Sequence, residues 1–269
     1  MLLIIGESLN GSIPAVGKAI LNRDEAFIKS LALEQESCGA NYLDVNAGGV
    51  GGHNSETDDL IWLVGVVQKA VNIPLVIDSS SPAALKEAIK TYTGPRPILS
   101  SATGEKHSAD TLIPLALEYD CPLVALCMDE KGIPGSVDGR LEAAEYFVEY
   151  AISAGMKAQN IYIDPLVMAV SADLNAGSIL IQTLKKIKEI YPDISTICAP
   201  SNVSYGMPNR RLLNRSFISI LISSGISGFI IDVRDRRAFS TILASEVIMG
   251  QDLHCKSYLN SYRNGLLEK

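Results

Sequence analysis

The chain has 269 residues, 47% of them hydrophobic and 20% charged, with a formal net charge of -7. That is enough apolar material for one large core, which suits one or two domains or a single β/α barrel of roughly 250 residues. An acidic balance without a basic run argues against nucleic acid, and no apolar stretch approaches the ~20 residues that cross a bilayer.

The opening "MLLIIGES" is short and lacks the charged front of a signal peptide, so a cytoplasmic protein is expected. Cys38, Cys121, Cys127, Cys198 and Cys255 are odd in number and never spaced as C-x-x-C; they read as small buried apolar residues in a reducing compartment. The histidines, His53, His107 and His254, do not lie at zinc-ligand spacing, so no metal is expected.

In chain order, short apolar runs alternate with longer amphipathic ones. The strand candidates are 2–5 (LLII), 42–46 (YLDVN), 74–78 (PLVID), 97–101 (PILSS), 122–127 (PLVALC), 161–164 (IYID), 195–199 (STICA) and 228–232 (GFIID). The helix candidates between them are 23–38, 56–71, 82–91, 108–119, 139–154, 176–190, 209–224 and 236–249. Ser55-x-x-Asp58 resembles a capping box, Ser81-Pro82 places proline just inside a helix start, and Ser108 precedes another helix. Gly39, Gly155 and Gly225 fall where helices should stop. "GGVGGHNS" (48–55) has no G-K-[ST] ending and fails G-x-G-x-x-G; it reads as a mobile loop, with a ligand-touching lid as the alternative. "SGISG" (224–228) opens a strand and reads as a turn.

Nearly continuous apolar strands fit a parallel sheet covered on both faces. Eight βα units close most simply into an α/β, single-domain (β/α)8 TIM barrel over residues 1–269, with a doubly wound open sheet as the rival. In a barrel the carboxyl ends of all strands meet at one rim, where active sites lie. Glu7, Asp44, Asn46, Asp78, Ser100, Ser101, Asp129, Asp164, Asn202 and Asp232 all fall at or just past strand ends. One such acid is ordinarily a cap or a solvated loop residue. A ring of them repels itself unless something donates hydrogen bonds to it.

Three ligands could fill an acid-lined mouth. A hard cation would want a tight D-x-D cluster, which is missing, and a sugar would want aromatic platforms, but the single Trp62 lies inside a helix candidate. A heterocycle with a row of N–H donors matches the mixture of Asp78, Asp164 and Asn202.

These residues lead to a resemblance. "LLIIGESLNG" (2–11), "NYLDVNAGG" (41–49), "LVIDSS" (75–80), "NIYIDPL" (160–166) and "PSNVSYGMPNRRLLNRSF" (200–217) resemble the pterin-binding methyltransferases. The nearest likeness is to the methyltetrahydrofolate:corrinoid protein methyltransferases, and it extends to the tail "HCKSYLNSY" (254–262). The folate domain of cobalamin-dependent methionine synthase and, more distantly, dihydropteroate synthase share the barrel.

The resemblance implies that tetrahydrofolate or 5-methyltetrahydrofolate is the substrate, with its pterin ring in the mouth. Asp78 and Asp164 would grip the ring's N–H groups, Asp44 and Arg210 would lie in the site, and Asn202 would reach N5 as the catalytic residue. Ser100 stands where the family carries Asn, which points to a shorter contact there and to a branch serving another methyl pathway. The methyl's other partner is the cobalt of a corrinoid. The chain has no D-x-H-x-x-G corrinoid motif, so a separate corrinoid protein is expected, and a homodimer is implied. A dihydropteroate synthase would want S-x-R-P-G-like and K-x-R-like segments, which "LNGSIPAVG" (9–17) and "IIDVRDRRAF" (230–239) do not supply cleanly. A non-catalytic pterin-binding protein is the remaining alternative.

Overall fold

The computed structural model describes residues 2–52 and 54–268; His53, one of the histidines discounted above, lies outside them. The apolar runs become eight strands, β1 (Leu3–Asn10), β2 (Tyr42–Asn46), β3 (Leu75–Asp78), β4 (Ile98–Thr103), β5 (Leu123–Leu126), β6 (Ile161–Asp164), β7 (Ser195–Cys198) and β8 (Gly228–Ile231). They pair in sequence order, β1 closes on β8, and every pairing is parallel. The open-sheet rival is thereby excluded.

The helices that cover the barrel are α1 (Pro14–Leu21), α2 (Glu25–Ser37), α3 (Glu56–Val67), α4 (Pro82–Thr91), α5 (Lys106–Glu118), α6 (Val137–Ser153), α7 (Ala176–Ile190), α8 (Arg210–Ser223), α9 (Arg236–Ile248) and α10 (Lys256–Arg263). The start signals hold at two sites: the Ser55 and Ser81 side chains accept from the backbone N–H of Asp58 and Ala84. At the third, the expectation was wrong. Helix α5 begins at Lys106, so Ser108 lies inside it, and its hydroxyl accepts from the Thr103 N–H at 3.0 Å. Gly39, Gly155 and Gly225 end helices with φ of 100°, 96° and 92°, a conformation that costs glycine little. No helix among the described residues is long and apolar enough to cross a membrane.

Two helices escaped the sequence reading. Helix α1 is only eight residues long, and α10 is amphipathic and packs on α9 with no buried residue of its own. The first strand was also read too short, ending at residue 5 rather than Asn10. The register between β1 and β2 slips between Gly6 and Leu9, and that bulge carries Glu7 and Ser8. Gly6 has no room for a side chain, because a Cβ there would sit 2.6 Å from the Gln35 Oε1; that oxygen accepts the Ser8 N–H at 3.0 Å.

The core has two layers. A large shell packs the outward strand residues against the helices, with Leu43, Leu75, Leu99 and Ile163 among its members. A small cluster fills the barrel, made of Ile5, Val76, Ile98, Val124 and Ile197, with Leu3, Tyr42, Leu126, Tyr162 and Ile230 packed against it. Cys121, Cys127 and Cys198 are buried as expected, whereas Cys38 and Cys255 are partly exposed; all five are free thiols.

Candidate active site

Strand alternation explains the position of the acids. Side chains on one face of a strand recur every two residues. Two residues beyond the barrel-filling cluster come Glu7 after Ile5, Asp44 after Tyr42, Asp78 after Val76, Ser100 after Ile98, Asp164 after Tyr162 and Asp232 after Ile230. The inward face therefore turns from apolar to polar where the strands reach the carboxyl-end rim. Strand β5 departs from this pattern, because it keeps Leu126 in the corresponding place.

The largest interacting group forms around Asp78. Its Oδ2 accepts from the Asn46 Nδ2 at 2.5 Å, and Asn46 is itself held by the Gly48 N–H, which donates to its Oδ1 at 2.7 Å. Burial pushes the Asp78 carboxyl up, while hydrogen bonds from Asn46 and Ser100 offset part of that push. Asp44 is 5% exposed, and its carboxyl stands well above the usual range because of burial first, then Asp78 and Glu7. Glu7 is pushed up to about 7 by burial and by Asp232. Ser100 is buried, and its hydrogen bond helps to lower the Asp78 carboxyl.

Asp164 stands across the mouth on β6. It is 7% exposed, and burial raises its carboxyl to about 7 even though the Leu166 N–H donates to its Oδ1 at 2.7 Å. Arg140, from α6, is 1% exposed and braces the next two residues. Its Nη1 donates to the Pro165 carbonyl at 3.0 Å and to that of Leu166, and its Nε donates to the Pro134 carbonyl at 3.0 Å. The sequence reading missed Arg140, since an arginine in an amphipathic helix signals a solvated face unless its burial is known.

Asn202 lies in the 3-10 turn Pro200–Ser204 that follows β7. It is exposed and caps no helix; its backbone alone is engaged, with the Tyr205 N–H donating to its carbonyl at 3.1 Å. Arg210 braces this turn: its Nε donates to the Ser204 Oγ at 3.1 Å and its Nη2 to the Ser201 carbonyl at 2.9 Å. Its guanidinium also lies 5.7 Å from the Tyr205 ring centroid. Arg210 thus supports the segment bearing Asn202.

Two rim residues go elsewhere. Asp129 closes a turn with Gly132, and its Oδ1 accepts the Lys131 N–H at 2.7 Å, so it is a loop residue. Asp232 is held by Arg234, whose Nε and Nη2 donate to its two oxygens at 2.8 and 3.0 Å. Burial raises Asp232, but the bonds from Arg234 outweigh it and keep the carboxyl below its usual range.

A closed barrel with polar ends on six strands now stands beside what known proteins share with it. Residues 16–232 match the family described as "Pterin binding enzyme". The chain belongs to that family. It is 37% identical over 266 residues to a methylcorrinoid:tetrahydrofolate methyltransferase of Eubacterium limosum, covering 98% of this chain and 97% of that one. It is 25% identical to a methionine synthase of Mycobacterium tuberculosis over 85% of this chain but only 20% of the much longer relative.

Among solved structures, a dihydropteroate synthase of Yersinia pestis superposes with a TM-score of 0.68 at 14% identity, over 93% of this chain and 94% of that one. A dihydropteroate synthase of Coxiella burnetii, in complex with pteroic acid, gives 0.65 at 16% identity over 91% and 92%. At such identities the likeness is one of fold. In this pterin-binding enzyme, burial raises the carboxyls of Asp44, Asp78 and Asp164 at the barrel mouth. Each would gain most from a ligand that presents N–H groups, because an unpaired buried carboxylate is the costlier state.

Proposed function

We propose that this chain is a methyltransferase that moves a methyl group between N5 of tetrahydrofolate and the cobalt of a corrinoid carried by a separate protein. Support for the pterin comes from one observation: Asp44, Asp78 and Asp164 face one mouth, and burial is the largest cause raising each of their carboxyls. Support for the reaction comes from the near full-length likeness to the Eubacterium limosum enzyme, whose name places the methylcorrinoid as donor.

In this reading Asp78 and Asp164 hold the ring's N–H groups from opposite sides of the barrel. Asn46 and Ser100 fix the orientation of Asp78, and Arg140 fixes the backbone beside Asp164. Asn202 brings an uncommitted side-chain amide to N5. That nitrogen must carry a proton before or during loss of a methyl group, since an amide anion leaves poorly. A neutral amide oxygen accepts a hydrogen bond from N5–H⁺, and the acid-lined mouth favours the positive charge. The corrinoid supplies the cobalt that takes or gives the methyl. The reading also makes the protein a cytoplasmic homodimer. Light scattering should give twice the 28.9 kDa chain mass, and a single-chain mass would remove the dimer.

The direct test mixes the protein with Co(I) corrinoid and 5-methyltetrahydrofolate and follows the absorbance of methylcobalt, then runs the reverse with methylcorrinoid and tetrahydrofolate. Turnover in either direction supports the proposal. Tight folate binding without turnover in both would leave a pterin-binding protein and sink the methyltransferase.

A further inference from the structure

Beside the pterin mouth is a second cavity that the reaction above does not use. It occupies about 880 Å³, and its walls carry Arg210, Arg211, Arg234, Arg236 and Arg237 together with the acids Glu7, Glu34, Asp232 and Asp235. A chain with a net charge of -7 and only 23 Lys and Arg residues has gathered five arginines at one opening. The two spaces adjoin: Glu7 and Ser201 line this cavity, Glu7 acts on Asp44 in the mouth, and Ser201 precedes Asn202.

The simplest account of five arginines is that they pair with local acids, and some do. Arg234 is taken up by Asp232 and reaches Glu34 at 3.6 Å. Arg210 is taken up by Ser201 and Ser204, and the remaining three are lightly committed. Arg211 has an ion pair at 3.8 Å through its Nε, on a side chain that is 79% exposed. Arg237 uses its Nε on Glu268 at 2.7 Å, and Arg236 makes one bond of 3.3 Å to the Gly265 carbonyl. A guanidinium carries five N–H donors, so most of those on Arg211, Arg236 and Arg237 are left over, in the forked arrangement that fits carboxylates.

Helix α8 adds to the same field. It starts at Arg210 with no acid in its first turn and no side-chain cap on Asn209. By contrast, α3 opens with Glu56, Asp58 and Asp59. The positive end of α8 is therefore uncompensated on the cavity side.

We propose that this cavity is a binding site for the γ-linked glutamyl tail of the folate substrate, with Arg211, Arg236 and Arg237 receiving its carboxylates. The assignment rests on the pterin reading above, because the head in the mouth is what brings a tail to this opening. Volume and chemistry agree: a chain of carboxylates needs unspent guanidinium donors next to the ring site, and a cavity of several hundred Å³ is the size that small ligands use.

The test is calorimetric titration with tetrahydropteroate, which has no glutamate, and with the mono-, tri- and pentaglutamyl forms of tetrahydrofolate, at low and raised salt. Triglutamate should bind about tenfold tighter than monoglutamate at low salt, and the gain should shrink as salt screens the exposed arginines. In Arg211→Gln/Arg237→Gln the ratio of the two affinities should fall to near one. A ratio already near one in the unaltered protein, or a tenfold ratio that survives the double substitution, would overturn the proposal. So would a double variant whose folate ratio is intact but whose affinity for the corrinoid protein drops, since the arginines would then be a docking patch. Failure to bind tetrahydropteroate would instead strike the pterin reading, and titration with free poly-γ-glutamate then decides the cavity by itself: binding lost in the double variant keeps it, and no binding ends it.

Discussion

Asp78, Asp164 and Asp232 end three nearly identical sequence runs, LVID, IYID and IID, yet their environments differ. Asp78 and Asp164 sit where burial dominates and their carboxyls are raised. Asp232 lies one residue past its strand with its side chain 42% exposed, and Arg234, two residues on, gives it a two-point partner and holds it low. A strand-end acid is therefore not a function. One side of the mouth holds carboxyls raised by burial, and the other holds one paired in two points with an arginine. The same contrast separates the pterin mouth from the arginine-lined cavity beside it.

The largest effect expected is on Asn202, between the two sides. Asn202→Ala should slow single-turnover methyl transfer by about 10²-fold, as for a lost transition-state hydrogen bond, with little change in melting temperature. A normal rate with a clear loss of stability would make it a structural turn residue, an outcome its missing cap bond argues against.

The comparison itself is broken or kept by three alanine variants. Asp78→Ala or Asp164→Ala should weaken folate binding by about 2–3 kcal/mol, the scale of a lost charged hydrogen bond. Asp232→Ala should weaken it much less, because its partner is Arg234. Equal losses at all three would show that the two sides are not distinct.

Acidity sharpens the same point. Asp164 rises from 3.8 to about 7 on folding, so between those values the unfolded chain has lost a proton that the native chain keeps. The ligand-free protein should thus lose stability as pH climbs from about 4 through about 7, and Asp164→Asn should flatten that slope. Binding of an N–H donor ligand should favour the ionised carboxyls and release protons, seen as buffer-dependent heats in calorimetry. A stability that rises over that range would contradict the burial argument.

The smallest effect is expected at Ser100. Ser100→Asn keeps a donor for Asp78, so folate affinity should change by less than threefold or so, about 0.6 kcal/mol, as in other mild exchanges. A folded variant that cannot bind folate would mean that β4 packs on the ring differently from its relatives.

The sequence by itself determined the barrel. Eight apolar runs at regular spacing, helix starts at Ser55 and Ser81, and stops at Gly39, Gly155 and Gly225 are local signals, set by side-chain periodicity and backbone preference. The strand-end acids were legible for the same reason. Their roles were not. The bulge that seats Glu7, the bond from Asn46 to Asp78 across 32 residues and the burial of Arg140 against Pro165 and Leu166 all depend on which elements closure brings side by side. Charge energies fall off with distance and rise with burial, and a chain acquires both only when it folds. That is why tertiary structure alone could separate Asp232, paired with Arg234, from Asp78 and Asp164, buried and raised.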